Sequence, residues 1–308
     1  MTTTKHALQI VIDDVGWFTG HDESKQNRPF RTGVNRKHVL QDYIAIAELG
    51  KRLGVRPVIA MVIGDWDRDN ILKDITGATW DGDKWDNREN IKQYQTQLES
   101  IIDFLNNNQD YFEISMHGLQ HEYWTNGMMT RSQYFDHNKY REGNGKFMRP
   151  YDIVNSHVDA FFKILDRNGV KAKVRTIVPP NFNYECGENG NAGDMSKILK
   201  NYGLEYVNTP FSMLQGAPDS TLHYEEAGLT FIDRGPDDIR WNATNIWPTK
   251  DVHRPTFGLH WANILGANHA DNLGVVDKWV AFFQGQVAKG NITLAKDIKE
   301  CAEQLMQA

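Results

Sequence analysis

The sequence predicts an α/β fold, a (β/α) barrel that is distorted or incomplete, and three observations predict it. Short apolar runs alternate with longer amphipathic ones, strand then helix, about six times over, which is the pattern of a parallel sheet. Several of the apolar runs lack polar alternation, as parallel strands buried on both faces should. Three runs lead into connections too long for plain turns, all at the same end of the strands, where barrel active sites lie.

Taken in order, Ala7–Ile12 reads as a buried strand ending at an Asp pair, and Val39–Leu53 as a helix closed by Gly54. Pro57–Ile63 is a second strand and Ile91–Leu105 a second helix, with Tyr94, Leu98, Ile101, Ile102 and Leu105 on one face. Tyr111–Met116 is a strand that runs into His117, and Ile153–Leu165 is a long helix. Lys173–Val178 is a strand stopped by Pro179 and Pro180; Ser196–Tyr202 is a helix and Glu205–Asn208 a short strand. Leu229–Asp233 and Thr256–His260 are the later strands, and Val275–Gln284 and Leu294–Met306 close the chain as helices. The long connections are Trp17–Lys37, Gly64–Glu89 and Glu122–Arg149, well beyond the ~12–15 residues of ordinary loops. No Gly-rich dinucleotide fingerprint follows the first strand, where the residues are DDVGWFTG. No repeat, low-complexity tract or Pro/Ser-rich linker divides residues 1–308, so one domain is expected.

Composition narrows the function. The 308 residues carry a formal charge of −6, with 40% hydrophobic and 24% charged residues, so nothing points to nucleic acid or an anionic membrane as partner. No stretch approaches the ~18 apolar residues of a membrane span. The N-terminal apolar run is short and interrupted by Asp13 and Asp14, unlike a signal peptide, and a cytoplasmic location is the expectation. Cys186 and Cys301 form neither a disulfide framework nor a zinc ribbon.

The chemistry sits at two strand ends. Asp13 and Asp14 finish the first strand, and His117 and His121 follow the third, in SMHGLQHE. Histidines at i and i+4 can aim both imidazoles at one point if the chain between them turns helically. Two imidazoles, one carboxylate and a water make the open ligand set of a catalytic zinc. Such an ion polarises a carbonyl and acidifies its water, and a second carboxylate beside it can take the proton. The expected cofactor is therefore one divalent ion, Zn²⁺ first, with Co²⁺, Ni²⁺ or Mn²⁺ as alternatives. Adjacent acids after a buried strand are costly unless they are paired or face a site.

These residues resemble the polysaccharide deacetylases, the NodB-type carbohydrate esterases. IVIDDVG is similar to the family's first motif, a hydrophobic strand ending in Asp-Asp, and EISMHGLQHE to its second, His-x-x-x-His at a strand end. The resemblance implies a distorted barrel of about seven parallel strands and removal of an N- or O-acetyl group from a sugar. It implies Asp13 as catalytic base and Asp14, His117 and His121 as metal ligands.

The remaining motifs depart from the pattern. Val178 stands where the family places an Arg that steadies the base, and Arg175, three residues earlier, points to the other face of a strand. Pro179, Pro180 and Asn181 are expected to give a rigid wall and backbone donors to an oxyanion. His260 in FGLHWAN is the candidate general acid, although Gly258 replaces the Leu expected two residues before it. Asp233, Asp237 and Asp238 are candidates for orienting His260 or binding substrate. Trp124 and Trp261 are the aromatic candidates for a sugar face, among loops that also hold Trp17, Trp66, Trp80, Trp85, Trp241 and Trp247. The expected substrate is a carbohydrate or another small amide or ester. A metal amidase on a non-sugar amide and an inactive carbohydrate-binding relative are the two rival readings, the second motivated by Val178.

Overall fold

The computed structural model describes residues 6–21, 31–136, 148–185, 192–215, 222–236, 239–248, 250–252 and 254–307. The chain opens with β1 (His6–Val15), α1 (Leu40–Leu53), β2 (Val58–Met61), α2 (Arg88–Asn107) and β3 (Glu113–Met116). A hairpin, β4 (Tyr123–Thr125) and β5 (Met128–Thr130), precedes α3 (Tyr151–Arg167). Next come β6 (Thr176–Ile177), β7 (Tyr184–Glu185), α4 (Ala192–Asn201), β8 (Tyr206–Thr209) and β9 (Leu214–Gln215). The remainder is β10 (His223–Glu226), β11 (Leu229–Asp233), β12 (Thr256–His260), α5 (Asn272–Ala288), β13 (Ile292–Leu294) and α6 (Ile298–Met306).

The main sheet runs β10-β11-β8-β6-β3-β2-β1-β12. Its strands pair in parallel except for β10, which returns antiparallel beside β11. Seven parallel strands therefore curl into a distorted (β/α) barrel, as the sequence led us to expect. Two local expectations need correction. Leu294 ends a strand that pairs with Leu8 rather than starting a helix, and the last helix begins at Ile298, where Asp297 accepts a hydrogen bond from the Glu300 N–H. The ladder of Lys173–Val178 is limited to Thr176 and Ile177.

Strand alternation sorts the residues into two layers. On β1, Leu8, Ile10 and Ile12 join the large core beneath the helices, while Ala7 and Val11 face the barrel interior. On β11, Leu229 and Phe231 belong to the outer core and Ile232 to the inner one. On β12, Phe257 and Leu259 point outward. The interior rows therefore continue upward to Asp13 on β1, Gly258 and His260 on β12, and Arg234 just past β11. The lower interior is filled from below by α6, whose Ile298, Cys301, Ala302 and Leu305 pack on Ala7, Val11, Val58 and Ala60.

The edge strands of the sheet are β10 and β12, and side chains link β12 to the top of β11. Thr256 Oγ1 donates to the Asp233 carbonyl at 3.0 Å, and Asn208 Nδ2 donates to the Ile232 carbonyl and to Thr256 Oγ1, both at 3.2 Å. No helix among the described residues is long and apolar enough to cross a membrane.

Candidate metal centre

Asp14, His117 and His121 converge at the top of the barrel. Each offers one ligand atom, and the three atoms lie within 4.8 Å of one another. On a regular strand Asp13 and Asp14 would face opposite ways. Asp13 keeps the interior phase, opposite His260 in the β1–β12 register. Asp14 is turned in by its left-handed backbone (φ 66°) at an irregularity of the β1–β2 pairing between Ile12 and Val15. His121 is also left-handed (φ 71°), as are Asn181 and Phe182 nearby. Conformations of this kind cost of order 1–3 kcal/mol each and persist where the surrounding structure imposes them.

The histidine loop is held by a buried relay. His117 Nδ1 lies 2.6 Å from the Val178 carbonyl, so its N–H donates there and Nε2 is the atom that faces Asp14 Oδ1, at 3.5 Å. Val178 thus contributes its backbone rather than its side chain. The Leu119 N–H donates to Gln133 Oε1 at 2.9 Å. Gln133 Nε2 lies 2.7 Å from His157 Nδ1, and His157 Nε2 lies 2.7 Å from the Thr76 carbonyl. The carbonyl fixes the proton on His157 Nε2, so Nδ1 accepts from the amide and Gln133 must turn its oxygen to the loop. Gly118 makes this approach possible, since a Cβ there would meet Gln133 Oε1 at 2.2 Å.

Electrostatics agree with a cation site. Burial pushes the Asp14 carboxyl up, but His117, His260 and His121 outweigh it and hold it at about 2. Burial, with His117 and His260 beside it, lowers His121 to about 4, so its ring is neutral at neutral pH, the form a metal requires. Asp14 Oδ1 is buried with no hydrogen-bond donor among the described residues. A carboxylate and two imidazoles, that of His117 with its tautomer fixed by the Val178 carbonyl, are the donor set of a divalent ion of the zinc class.

Behind the ligands lies a pair that the sequence did not reveal. Arg234 Nη1 sits 2.6 Å from Asp13 Oδ2, and both side chains are 0% exposed. The guanidinium lies over the Phe182 ring at 4.6 Å and against Gly258, where a Cβ would stand 2.2 Å from Nε and Nη2. His260 Nε2 is 3.9 Å from the same Asp13 oxygen. Arg175 lies elsewhere, paired with Glu205 at 2.7 Å.

The centre opens into a cavity of about 350 Å³, lined by Asp14, His117, His121, His260, Asn181, Phe182, Ile239, Trp241, Arg131 and Arg240. Of the residues singled out from sequence, Asn181 is on its wall and Pro180 lies buried directly behind it. Trp124 and Trp261 are not on the wall. Trp124 packs edge-on to Trp80, and Trp261 is fully buried, stacked on His38 and set edge-on to Tyr43. Asp233 is taken up by the turn after β11, where Oδ1 accepts from the Phe211 and Gly235 N–H groups. Asp237 and Asp238 lie outside the described residues. Trp241, one of the loop tryptophans noted in the sequence, is on the wall; Arg131, Arg234 and Arg240 are the additions, and for Arg234 the odd-even phase of β11 was a usable signal.

No family model and no curated protein matches the sequence. Among solved structures, the chain is similar to the carbohydrate deacetylase Agd3, with TM-score 0.55 and 12% identity over 98% of this chain and 54% of that one. A family 4 carbohydrate esterase from Streptomyces lividans, solved in complex with acetate, aligns at TM-score 0.38 and 9% identity over 96% of this chain and 93% of that one. A family 4 pseudoenzyme from Bacillus anthracis aligns at TM-score 0.41 and 11% identity over 97% of this chain and 66% of that one. The chain spans about half the length of Agd3, and at these identities the likeness is one of fold, that of the carbohydrate deacetylases.

Proposed function

We propose that this protein is a metal-dependent hydrolase that removes an acetyl group from an acetylated carbohydrate. The observation that carries the reading is the buried Asp13–Arg234 pair next to the Asp14, His117 and His121 cluster, whose three residues line one cavity. A structural ion pair would not need a convergent, histidine-lined cavity in front of it, and a bare metal site would not need a second carboxylate held by its own cation.

A divalent ion at Asp14, His117 and His121 would, when bound, polarise the acyl carbonyl and acidify a water. The chain's own residues do the rest. Arg234 holds Asp13 through Oδ2, which leaves Oδ1 to take a proton from the attacking water. His260, whose backbone N–H is fixed to Asn263 Oδ1 at 2.8 Å, delivers a proton to the departing nitrogen or oxygen. Pro180 and Asn181 form the rigid wall against which the acyl group rests. Arg234 also answers the reason for an inactive relative, since a guanidinium reaches the base despite Val178.

The test is acetate release from acetylated amino sugars and from small non-sugar amides by zinc-loaded protein. Release from the sugars that is lost in Asp13→Asn supports the reading. Release from the small amides alone favours an amidase, and a stoichiometrically loaded protein inactive on both sets overturns it.

A further inference from the structure

We propose that Gln133 is a positioning residue for the ion site: by taking the Leu119 N–H it sets the bite between His117 and His121, and His157 dictates which end of its amide faces them. The inference rests on the metal reading above and concerns what shapes that site. Histidines at i and i+4 converge readily on a helical turn, which brings its own geometry, since the N–H of residue 119 would then donate to the carbonyl four residues back. Residues 117–121 form no helical turn. Gly118 lies at φ 107° and His121 at φ 71°, and the two imidazoles stand 5.0 Å apart between ring centres, with 70° between their planes. Their convergence is therefore imposed from outside the loop.

Three sets of bonds impose it. His117 gives its backbone N–H to the Met61 carbonyl at 2.9 Å and its Nδ1–H to the Val178 carbonyl at 2.6 Å. Past the end of β2, the Ile63 and Gly64 N–H groups donate to the Gly118 and Leu119 carbonyls, at 3.4 and 2.5 Å. Gln133 supplies the third, accepting the Leu119 N–H midway between the two histidines. An amide can be seated in two ways, and here one is excluded. His157 gives its Nε2–H to the Thr76 carbonyl and so presents a lone pair on Nδ1 to Gln133 Nε2. Turned over, the amide would set its NH₂ against the Leu119 N–H and its oxygen against that lone pair, two mismatches in a site where Gln133 and His157 are both fully buried. The imidazole of His157 is itself wedged. Tyr123 stacks on it at 5.8 Å and Tyr134 meets it edge-on at 6.4 Å. Gly77 closes on Tyr123, where a Cβ would stand 2.1 Å from Cε2. The connection after β2, α3 and the stretch after β5 thus meet at one ring, and their combined rigidity reaches the ligand loop through a single amide.

The experiment measures the zinc affinity of chelator-treated protein by competition with a chromophoric chelator, with circular dichroism confirming that each variant is folded. Gln133→Met keeps the length of the side chain and offers neither donor nor acceptor. Gln133→Glu keeps an oxygen for the Leu119 N–H and can hold His157 when that ring takes a proton on Nδ1. Gln133→Met is expected to bind zinc about 10–100-fold more weakly, the range for partners just outside a metal's ligands, and Gln133→Glu to stay within about three-fold of wild type. The visible spectrum of cobalt-loaded protein, which reports coordination geometry, should change in Gln133→Met and return in Gln133→Glu. A residue that only stabilised the fold would leave both readings of the folded molecules unmoved. Unchanged zinc affinity or an unchanged cobalt spectrum in Gln133→Met, or a Gln133→Glu as weak as Gln133→Met, overturns the inference and leaves the ion site standing. A wild type that binds no zinc overturns the ion site and this inference with it. Should Gln133→Met not fold, His157→Leu decides, because it removes the acceptor that seats the amide: a loss of about ten-fold in zinc affinity upholds the inference, and an unchanged affinity overturns it.

Discussion

The guanidinium of Arg234 occupies the space that a β-carbon on residue 258 would need, 2.2 Å from Nε and Nη2. Two departures from the deacetylase pattern, the missing arginine at Val178 and the glycine at 258, are therefore one feature. The cation that faces Asp13 comes from a different strand, and its neighbour has given up a side chain to admit it.

Gly258→Ala is accordingly expected to behave as an arginine variant. Overpacking at this point should cost about 1–3 kcal/mol, and Arg234→Ala, which leaves Asp13 buried and unpaired, about 3–5 kcal/mol. In the double variant the new methyl finds room, so the costs should fall well short of additive. Urea denaturation of the four proteins measures this. Additivity within about 0.5 kcal/mol would mean that the two residues do not share a space.

Metal content should separate the proposed ligands from the proposed proton-transfer groups. His117→Ala and Asp14→Asn are expected to weaken zinc binding by more than about 100-fold, beyond what loss of an outer partner costs. His260→Ala and Asp13→Asn should retain zinc while kcat falls by about 10²–10⁴. Elemental analysis after gel filtration, paired with acetate release, reads both quantities.

Zinc should also stabilise the fold by linkage. An ion held only by the folded protein contributes about 2.7 kcal/mol when present at about 100 times its dissociation constant. Thermal melts of chelator-treated protein should therefore rise with added zinc, and those of His117→Ala should not. A wild-type melt indifferent to zinc would contradict the ligand assignment.

His157 gives a pH prediction. Burial, outweighing the Thr76 carbonyl and helped by Arg149, depresses it from 6.5 to about 4. Between those values the unfolded chain takes up a proton that the folded one refuses. Stability from the neutral ring is therefore present above pH 6.5 and lost as pH falls toward 4, by up to about 3 kcal/mol. His157→Gln should show a flatter dependence of unfolding free energy on pH across that window than wild type. Parallel curves for the two proteins would be the contrary result.

Much of the barrel was legible because parallel strands announce themselves by unbroken apolar runs; β11 and β12 fall at the expected Leu229–Asp233 and Thr256–His260. That the Asp13–Asp14 pair and the His117–His121 pair meet at one end of the barrel was legible from strand ends; that Asp14 is the member beside the histidines came from the family resemblance. What was not legible has physical causes. Trp261 follows His260, and it turns away from the cavity into the outer core, where it stacks on His38. Asp14 escapes the opposite-face rule only through a left-handed backbone that no residue type announces. Arg131 and Arg240 reach the cavity through Ser132 and Asn263, tertiary hydrogen bonds with no sequence periodicity. Arg234 was legible in principle, two positions beyond inward-facing Ile232.

The links between β11 and β12 bear on all of this. No backbone ladder joins the two strands, because β11 is already paired on both sides, by β8 and β10. Asn208 and Thr256 instead tie β12 to the end of β11 through side chains. Arg234, just past β11, lies against Gly258 on β12 and reaches Asp13 on β1. One guanidinium thus fastens the segment after β11 to two strands that backbone pairing never brings to it, and Asp13 takes its counter-ion from across the sheet rather than from a neighbour in the ladder.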